Sequence, residues 1–172
     1  GIEKNRGNGK IHVWGNGKTF SFDRVILACG GRAAPKTGSD GSGYLLAEQL
    51  GHRIIPTVPA LVQLKCREDY LKSVAGVRTD ALVTVLHRGK ELARERGELQ
   101  LTDYGISGIP VFQVSRLVNY ILKEEREAEI VIDFLPDETR ESFEALCGER
   151  IHLQRNRTVE EFFTGILHKK LM

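Results

Sequence analysis

The sequence predicts an α+β chain in several parts: an α/β segment, then a small antiparallel β-barrel-like domain, then a small helical subdomain. Three observations predict it. Val25, Ile26, Leu27, Ala28 and Cys29 form a continuous apolar run, the pattern of a strand buried on both faces of an α/β sheet. Between Ala60 and Thr102, short segments of alternating character recur with turn residues between them, as in small barrels and sandwiches. Beyond Pro136 the apolar spacing becomes helical. The parts so read are residues 1–55, 56–135 and 136–172.

At the amino end, Lys10 to Trp14 and Lys18 to Phe22 alternate polar and apolar residues, and each follows a turn, Gly7-Asn8-Gly9 and Gly15-Asn16-Gly17. That is a hairpin signature. His12 and Trp14 share a face with Lys10, which leaves them little weight as a ligand or a stacking platform. Gly30 and Gly31 then end the apolar run. Glycines at the carboxyl end of such a strand let a ligand approach the backbone. Gly38, Gly41 and Gly43 lead into a helix carrying Tyr44, Leu45, Leu46, Ala47 and Leu50, stopped by Gly51. Amides at that helix start would suit an anion. Spacing alone favours a plainer description of the same residues, a buried strand, a tight turn and an ordinary capped helix, since glycine-rich strand-to-helix turns are common without a nucleotide.

In the second part, Pro56 and Pro59 bracket a crossing segment, and Ala60 to Cys66 is a strand with Val62, Leu64 and Cys66 on one side. Arg67 to Val74 suits one or two helical turns. Ala81 to Arg88 sets Ala81, Val83, Val85 and His87 against Leu82, Thr84 and Leu86; Gly89-Lys90 turns it toward Glu91 to Glu95, and Gly97 turns again into Glu98 to Thr102. Tyr104 to Pro110 introduces a helix in which Val111, Val114, Leu117, Val118, Ile121 and Leu122 recur at helical spacing. Pro110 fits its first turn and Ser107 is the candidate cap. Lys123 to Glu129 is a solvated helix end. Ile130 to Leu135 is one more strand, broken by Pro136.

In the third part, Asp137 is placed to cap a helix carrying Phe143, Leu146 and Cys147, which Gly148 ends. Thr158 and Glu161 form a capping-box pattern ahead of Val159, Phe162, Phe163, Ile166 and Leu167, with Lys169 and Lys170 in the last turn. A basic cluster, Arg150, His152, Arg155 and Arg157 with His168 to Lys170 nearby, lacks interleaved aromatics. It reads as a solvated or dipole-complementing surface, so nucleic acid is not the expected partner.

A formal net charge of +2 argues against strong nonspecific attraction to nucleic acid or membrane. No apolar run is long enough to span a bilayer. Cys29, Cys66 and Cys147 are widely separated and set among apolar neighbours, so they read as reduced core residues in a cytoplasmic protein, with no metal site. The chain opens on Gly1 and Ile2 in mid-pattern and its only methionine is Met172, which reads as a piece of a longer polypeptide. GxSxG, HExxH, CxxC and the Walker loop are missing, and no catalytic residue is assigned.

The run VILACGG, followed by TGSDGSGY, an apolar helix and GHRIIPTVPALVQL, resembles the HI0933-like family of bacterial FAD-dependent flavoproteins, described as NAD(FAD)-utilising dehydrogenases. The resemblance resumes at GELQLTDYGISGIPVFQVSR and more loosely at DFLPDETRESFEAL. It implies that residues 1–55 are a partial FAD-binding, Rossmann-like domain with a β-meander, that 56–135 is an inserted barrel-like domain, and that 136–172 is a helical subdomain. It implies a cofactor contact at Ala28, Cys29, Gly30 and Gly31, bordered by Gly38, Asp40, Gly41 and Gly43. It also places Ser107 and Gly108, in the GISG loop, facing the flavin, where a helix amino end would stabilise the anionic reduced ring. The family's first GxGxxG and last FAD contact have no counterpart among these residues. Cys29 stands where threonine is usual; Asp40 and Ser42 stand where threonine and aspartate are expected. The implied activity is an oxidoreductase that moves hydride between NAD(P)H or a small-molecule substrate and FAD, with the residues here expected to be colourless alone. The competing class is a non-catalytic barrel and helical module that binds a protein or RNA.

Overall fold

Asn16 (φ 49°) and Gly17 (φ 72°) both adopt left-handed backbone in the computed structural model, as a two-residue type I′ turn requires. That turn joins β2 (Ile11–Gly15) to β3 (Lys18–Phe22), and β1 (Ile2–Lys4) pairs antiparallel on the other side of β2. Ile11 faces Phe22 and Val13 faces Phe20 across the pair, so the predicted alternation sets one apolar face. The structure describes residues 1–153 and 156–172, in two units, Gly1–Thr57 and Val58–Met172. Helix α1 (Ser42–Gln49) belongs to the first. Gly51 (φ 88°) ends it as predicted, with the Gly51 amide donating to Glu48 O and that of His52 to Ala47 O.

Val25–Cys29 is not a strand. It runs as irregular chain with Ile26 91% exposed, and among the described residues no strand pairs with it. The apolar pattern records what the segment would bury; a strand also needs neighbours to take its amides and carbonyls, and the described residues supply none. The Rossmann-like α/β sheet is therefore not formed by these residues.

The second unit is built on a five-stranded antiparallel sheet of order β4-β7-β6-β5-β8. Its strands are β4 (Leu64–Lys65), β5 (Arg78–His87), β6 (Lys90–Thr102), β7 (Gly105–Gly108) and β8 (Glu129–Asp133). Ala81, Val83 and Val85 are fully buried, as their alternation predicts, and pack with Leu99, Leu101 and Ile106. Helix α3 (Ile109–Glu124) lies on this face, burying Val111, Val114, Val118 and Ile121. Its stripe also takes in Ser115, whose hydroxyl donates to Phe112 O (2.8 Å) and accepts from the Val62 amide (3.3 Å), while Leu122 points outward. Between β4 and β5, α2 (Leu71–Val74) is a single turn.

Five sequence expectations change here. The strand expected over Ala60 to Cys66 shrinks to Leu64–Lys65, because only those residues find β7 opposite them. Gly97 makes no turn: it sits within β6 opposite Ala81, and a Cβ on it would lie 3.3 Å from Pro110 Cδ, so the glycine makes room for the start of α3. Asp137 does not cap α4 (Arg140–Leu153); the Thr139 hydroxyl accepts from the Ser142 amide (3.1 Å), and Asp137 is taken by Arg96. Gly148 lies inside α4 and does not end it. The Thr158–Glu161 capping box forms as predicted on α5 (Val159–Phe163). Gly165 (φ 84°) follows close behind, so Lys169 and Lys170 fall in a separate short 3₁₀ turn.

Arg96 donates to Asp80 (2.6 and 2.9 Å) and to Asp137 (2.6 and 2.7 Å), tying the sheet to the residues leading into α4. Hydrogen bonding from Arg96 holds the Asp137 carboxyl below its ordinary range. Glu125 is likewise held low by His87 and then Arg88. His87 Nε2 lies 2.8 Å from Glu125 Oε1 and donates in the tautomer protonated there. The sign follows from linkage: the unfolded chain takes up protons on these carboxyls at higher pH than the folded chain does. Their contribution is present above the ordinary carboxylate range of about 4 and is lost as pH falls through the folded values. Acid titration followed by circular dichroism is expected to show a shallower loss of stability below about pH 4 in Arg96→Met than in the parent sequence. Superimposable acid profiles would remove Arg96 as the cause.

Candidate functional site

The residues around Gly30 and the start of α1 close on one another. The Ser39 hydroxyl donates to Cys29 O (3.4 Å). Gly43, in the first turn of α1, brings that turn against Cys29: a Cβ there would sit 3.0 Å from Cys29 Cβ and 3.3 Å from its Sγ. A Cβ on Gly30 would collide with the Ser39 side chain, one on Gly31 would stand 2.7 Å from the Tyr44 hydroxyl, and one on Gly41 would stand 2.7 Å from Arg32 Nε. Gly30 (φ 72°), Gly38 (φ 94°) and Gly41 (φ 86°) take left-handed backbone, which only glycine adopts without strain. The structure thus brings Cys29, Gly30, Gly31, Gly41 and Gly43 together, with Gly38 and Asp40 in the loop between.

Ala28, Cys29 and Gly30 are exposed and Gly31 is half-buried. Among the described residues no backbone donor or acceptor satisfies the amides of Ala28 to Gly31. A bare stretch of main chain, clamped from behind by a glycine-rich helix start, suits a ligand that hydrogen-bonds to backbone. The helix start itself does not suit an anion. Asp40 Oδ1 already accepts from the Ser42 amide (2.9 Å), and that bond holds the Asp40 carboxyl below its usual range. A phosphate there would meet a like charge. Asp40 therefore shapes the border of the cradle as a cap and does not offer amides to an anion.

Three neighbours escaped sequence reasoning. Tyr44 counted only as a helix residue and Ser39 as loop, yet both back the glycine pair. The Arg32 guanidinium lies 5.9 Å from the centre of the Tyr44 ring, a cation held beside the cradle. The available signal was that Arg32 directly follows the two glycines.

Ser107 and Gly108 belong to the second unit. Ser107 does not cap α3: it is a strand residue of β7 opposite Gln100. The cap position is Gly108 (φ 107°), with no side chain bonded there. A Cβ on Gly108 would collide with the Glu98 carbonyl oxygen, so the glycine is required by the β6–β7 pairing. Pro110 occupies the first turn as predicted.

The cysteines are unpaired, but Cys29 is exposed and Cys66 and Cys147 are half-buried, so none is the core residue expected from its apolar neighbours. In the basic cluster, Arg150 donates to Phe162 O (2.5 Å) and Thr164 O (3.2 Å) at the carboxyl end of α5, a dipole-complementing role. Lys170 donates to Ala75 O (2.7 Å). Arg155 lies outside the described residues. Among the described residues no helix is long and apolar enough to cross a membrane, and no three His, Cys, Asp or Glu side chains group for a metal ion.

Comparison with known proteins adds two findings. Residues 58–172 match the family described as HI0933-like protein barrel and H2TH domain. The chain is also similar to the 3-dehydro-bile acid delta(4,6)-reductase of Clostridium scindens, 49% identical over 159 residues that cover 91% of this chain and 38% of the relative. More distant similarity extends to the ribosomal RNA dihydrouridine synthases of Escherichia coli (29% identity, 91% of this chain and 37% of the relative) and Haemophilus influenzae (33%, 71% and 28%). The chain thus spans less than two-fifths of the length of these relatives. The match to residues 58–172 covers the whole second unit, the five-stranded sheet with α3 on its buried face and the helices that follow, and the chain belongs to the HI0933-like family.

Proposed function

We propose that the full-length protein containing these residues is an FAD-dependent oxidoreductase that draws its electrons from NAD(P)H and reduces a small molecule. The observation that carries this reading is the largely exposed main chain of Ala28 to Gly31, whose amides have no backbone partner among the described residues, backed by Ser39, Gly43 and Tyr44, in a chain whose family and 49%-identical relative point to reductive chemistry. Ala28, Cys29, Gly30 and Gly31 would hold the cofactor through backbone. Gly38, Asp40, Gly41 and Gly43 shape the wall behind them, and Arg32 supplies the nearby positive charge. On the family's pattern, Ser107 and Gly108 are a second approach to the flavin. FAD supplies the hydride carrier, a role no side chain of this chain can take. The unpaired cysteines fit a reducing compartment, which supports placing the protein in the cytoplasm.

The relatives are named as a delta(4,6)-reductase and as dihydrouridine synthases. Carried to this chain, those names suggest a substrate with an electron-poor carbon–carbon double bond in a ring. Saturating such a bond adds hydride at one carbon and a proton at the other, while NAD(P)H is oxidised.

The test is visible flavin absorbance in the purified full-length protein, set beside Gly31→Val. The branched side chain would strike the Tyr44 hydroxyl and cover the cofactor-facing backbone, so bound flavin is expected to fall at least about tenfold. Undiminished flavin in the variant, or a colourless parent, would overturn the reading. Residues 1–172 alone are expected to be colourless, since they match only 38% of the relative's length and Val25–Cys29 has no strand neighbour among the described residues.

A further inference from the structure

The two edge strands of the second unit's sheet line one cavity. Leu64, Lys65 and Cys66 at β4 and Ile130 and Ile132 on β8 bound the same space of about 550 Å³, with Ile106 of β7 and Val118 of α3 on its floor. Strands at opposite ends of the order β4-β7-β6-β5-β8 can share a cavity only if the sheet curls, so the space is the interior of a half-barrel at its open side. An Arg67–Glu127 ion pair joins the chain after β4 to the chain before β8 across this opening.

The wall is apolar and unfilled. Ile130 and Ile132 carry the inward-facing side of β8 and pack against the core, yet both stay only half-buried, where Val83 and Val85 on the neighbouring strand are fully buried. The volume falls in the range of small-molecule sites, which pair an apolar lining with a few polar groups.

The polar groups sit at the mouth, and their charge is unbalanced. Lys65, Arg67 and Arg126 stand against Glu68 and Glu127. Arg67 is paired with Glu127, while among the described residues Lys65 and Arg126 have no ion-pair partner. Asn119 on the rim is already committed, donating to Pro59 O (3.1 Å) and Ser115 O (2.9 Å). Burial, and then the Glu68 charge, push the Cys66 thiol up, so the wall stays uncharged at neutral pH. An apolar body inside and an excess cation at the rim describe one kind of guest.

We propose that this half-barrel cavity binds an anionic amphiphile, its hydrocarbon body against Leu64, Ile106, Ile130 and Ile132 and its acid group at Arg126. The site lies wholly in the second unit and does not depend on the flavin reading.

The probe is a dansyl-labelled undecanoic acid titrated into the full chain, with its methyl ester as the uncharged control. Saturable one-site binding with a blue-shifted emission is expected, weakened about fivefold in Arg126→Glu, a substitution at an exposed position that leaves the core untouched. Ile132→Trp fills the cavity and is expected to weaken binding at least about tenfold while the circular dichroism melt stays cooperative. Absence of a saturable signal overturns the proposal. So does binding that Arg126→Glu leaves unchanged, or a methyl ester that binds as tightly as the acid.

Discussion

Gly108→Ala is expected to destabilise the second unit by on the order of 4 kcal/mol, read as a fall in the denaturation midpoint of the full chain. Two costs add. The backbone at Gly108 (φ 107°) lies where an L side chain is strained, which alone costs about 1–3 kcal/mol. The new methyl would also press on the Glu98 carbonyl oxygen and its carbon, backbone atoms of the neighbouring strand that cannot swing away as a flexible side chain could. Relief would require β7 to draw back from β6, breaking the Leu99–Gly108 and Gln100–Ser107 pairs. A change of less than about 0.5 kcal/mol, well under the strain cost, would show that the backbone at Gly108 is not pressed against Glu98 as described.

Leu99→Ala is expected to cost about 3 kcal/mol and to lower the melting temperature by roughly 10 °C. Leu99 is completely buried, in a cluster with Val77, Val83, Val85, Ile106 and Val111. Residues from β5, β7 and α3 surround it, so the void left by three lost carbons cannot be closed by moving one element. Leu92 on the same strand is 48% exposed and serves as the control; Leu92→Ala should cost under about 0.5 kcal/mol. Equal effects at the two positions would show that the sheet's buried face has been misassigned.

Both effects trace to features of different legibility. Leu99 falls within the segment read as Glu98 to Thr102, and Ala81, Val83 and Val85 declare the same buried face by simple alternation. Gly108 could be seen as a glycine before a helix, but not as one pressed against Glu98, because that contact joins strands whose pairing no local pattern specifies. The glycine cradle divides in the same way. Gly30, Gly31, Gly41 and Gly43 stood out in the sequence, while Ser39, Tyr44 and Arg32, which back them, did not. A side chain's neighbour ten residues away carries no periodic mark. Asp40 illustrates the opposite error: an anion site at a helix start is a sound local inference, and a single intervening carboxylate cancels it.

By itself the sequence determined the features set by interactions within a few residues. These are the Asn16-Gly17 turn, the Gly51 stop, the stripe along α3, the buried face of β5 and the Thr158–Glu161 box. Backbone sterics and side-chain periodicity act over that range. Only the tertiary structure decided that Val25–Cys29 has no strand partner among the described residues, that Gly97 continues β6, that Asp137 answers Arg96, and that the sheet stays open as a half-barrel. Each of those outcomes depends on whether a hydrogen-bonding or packing partner arrives from elsewhere in the chain, and spacing along the chain does not encode that arrival.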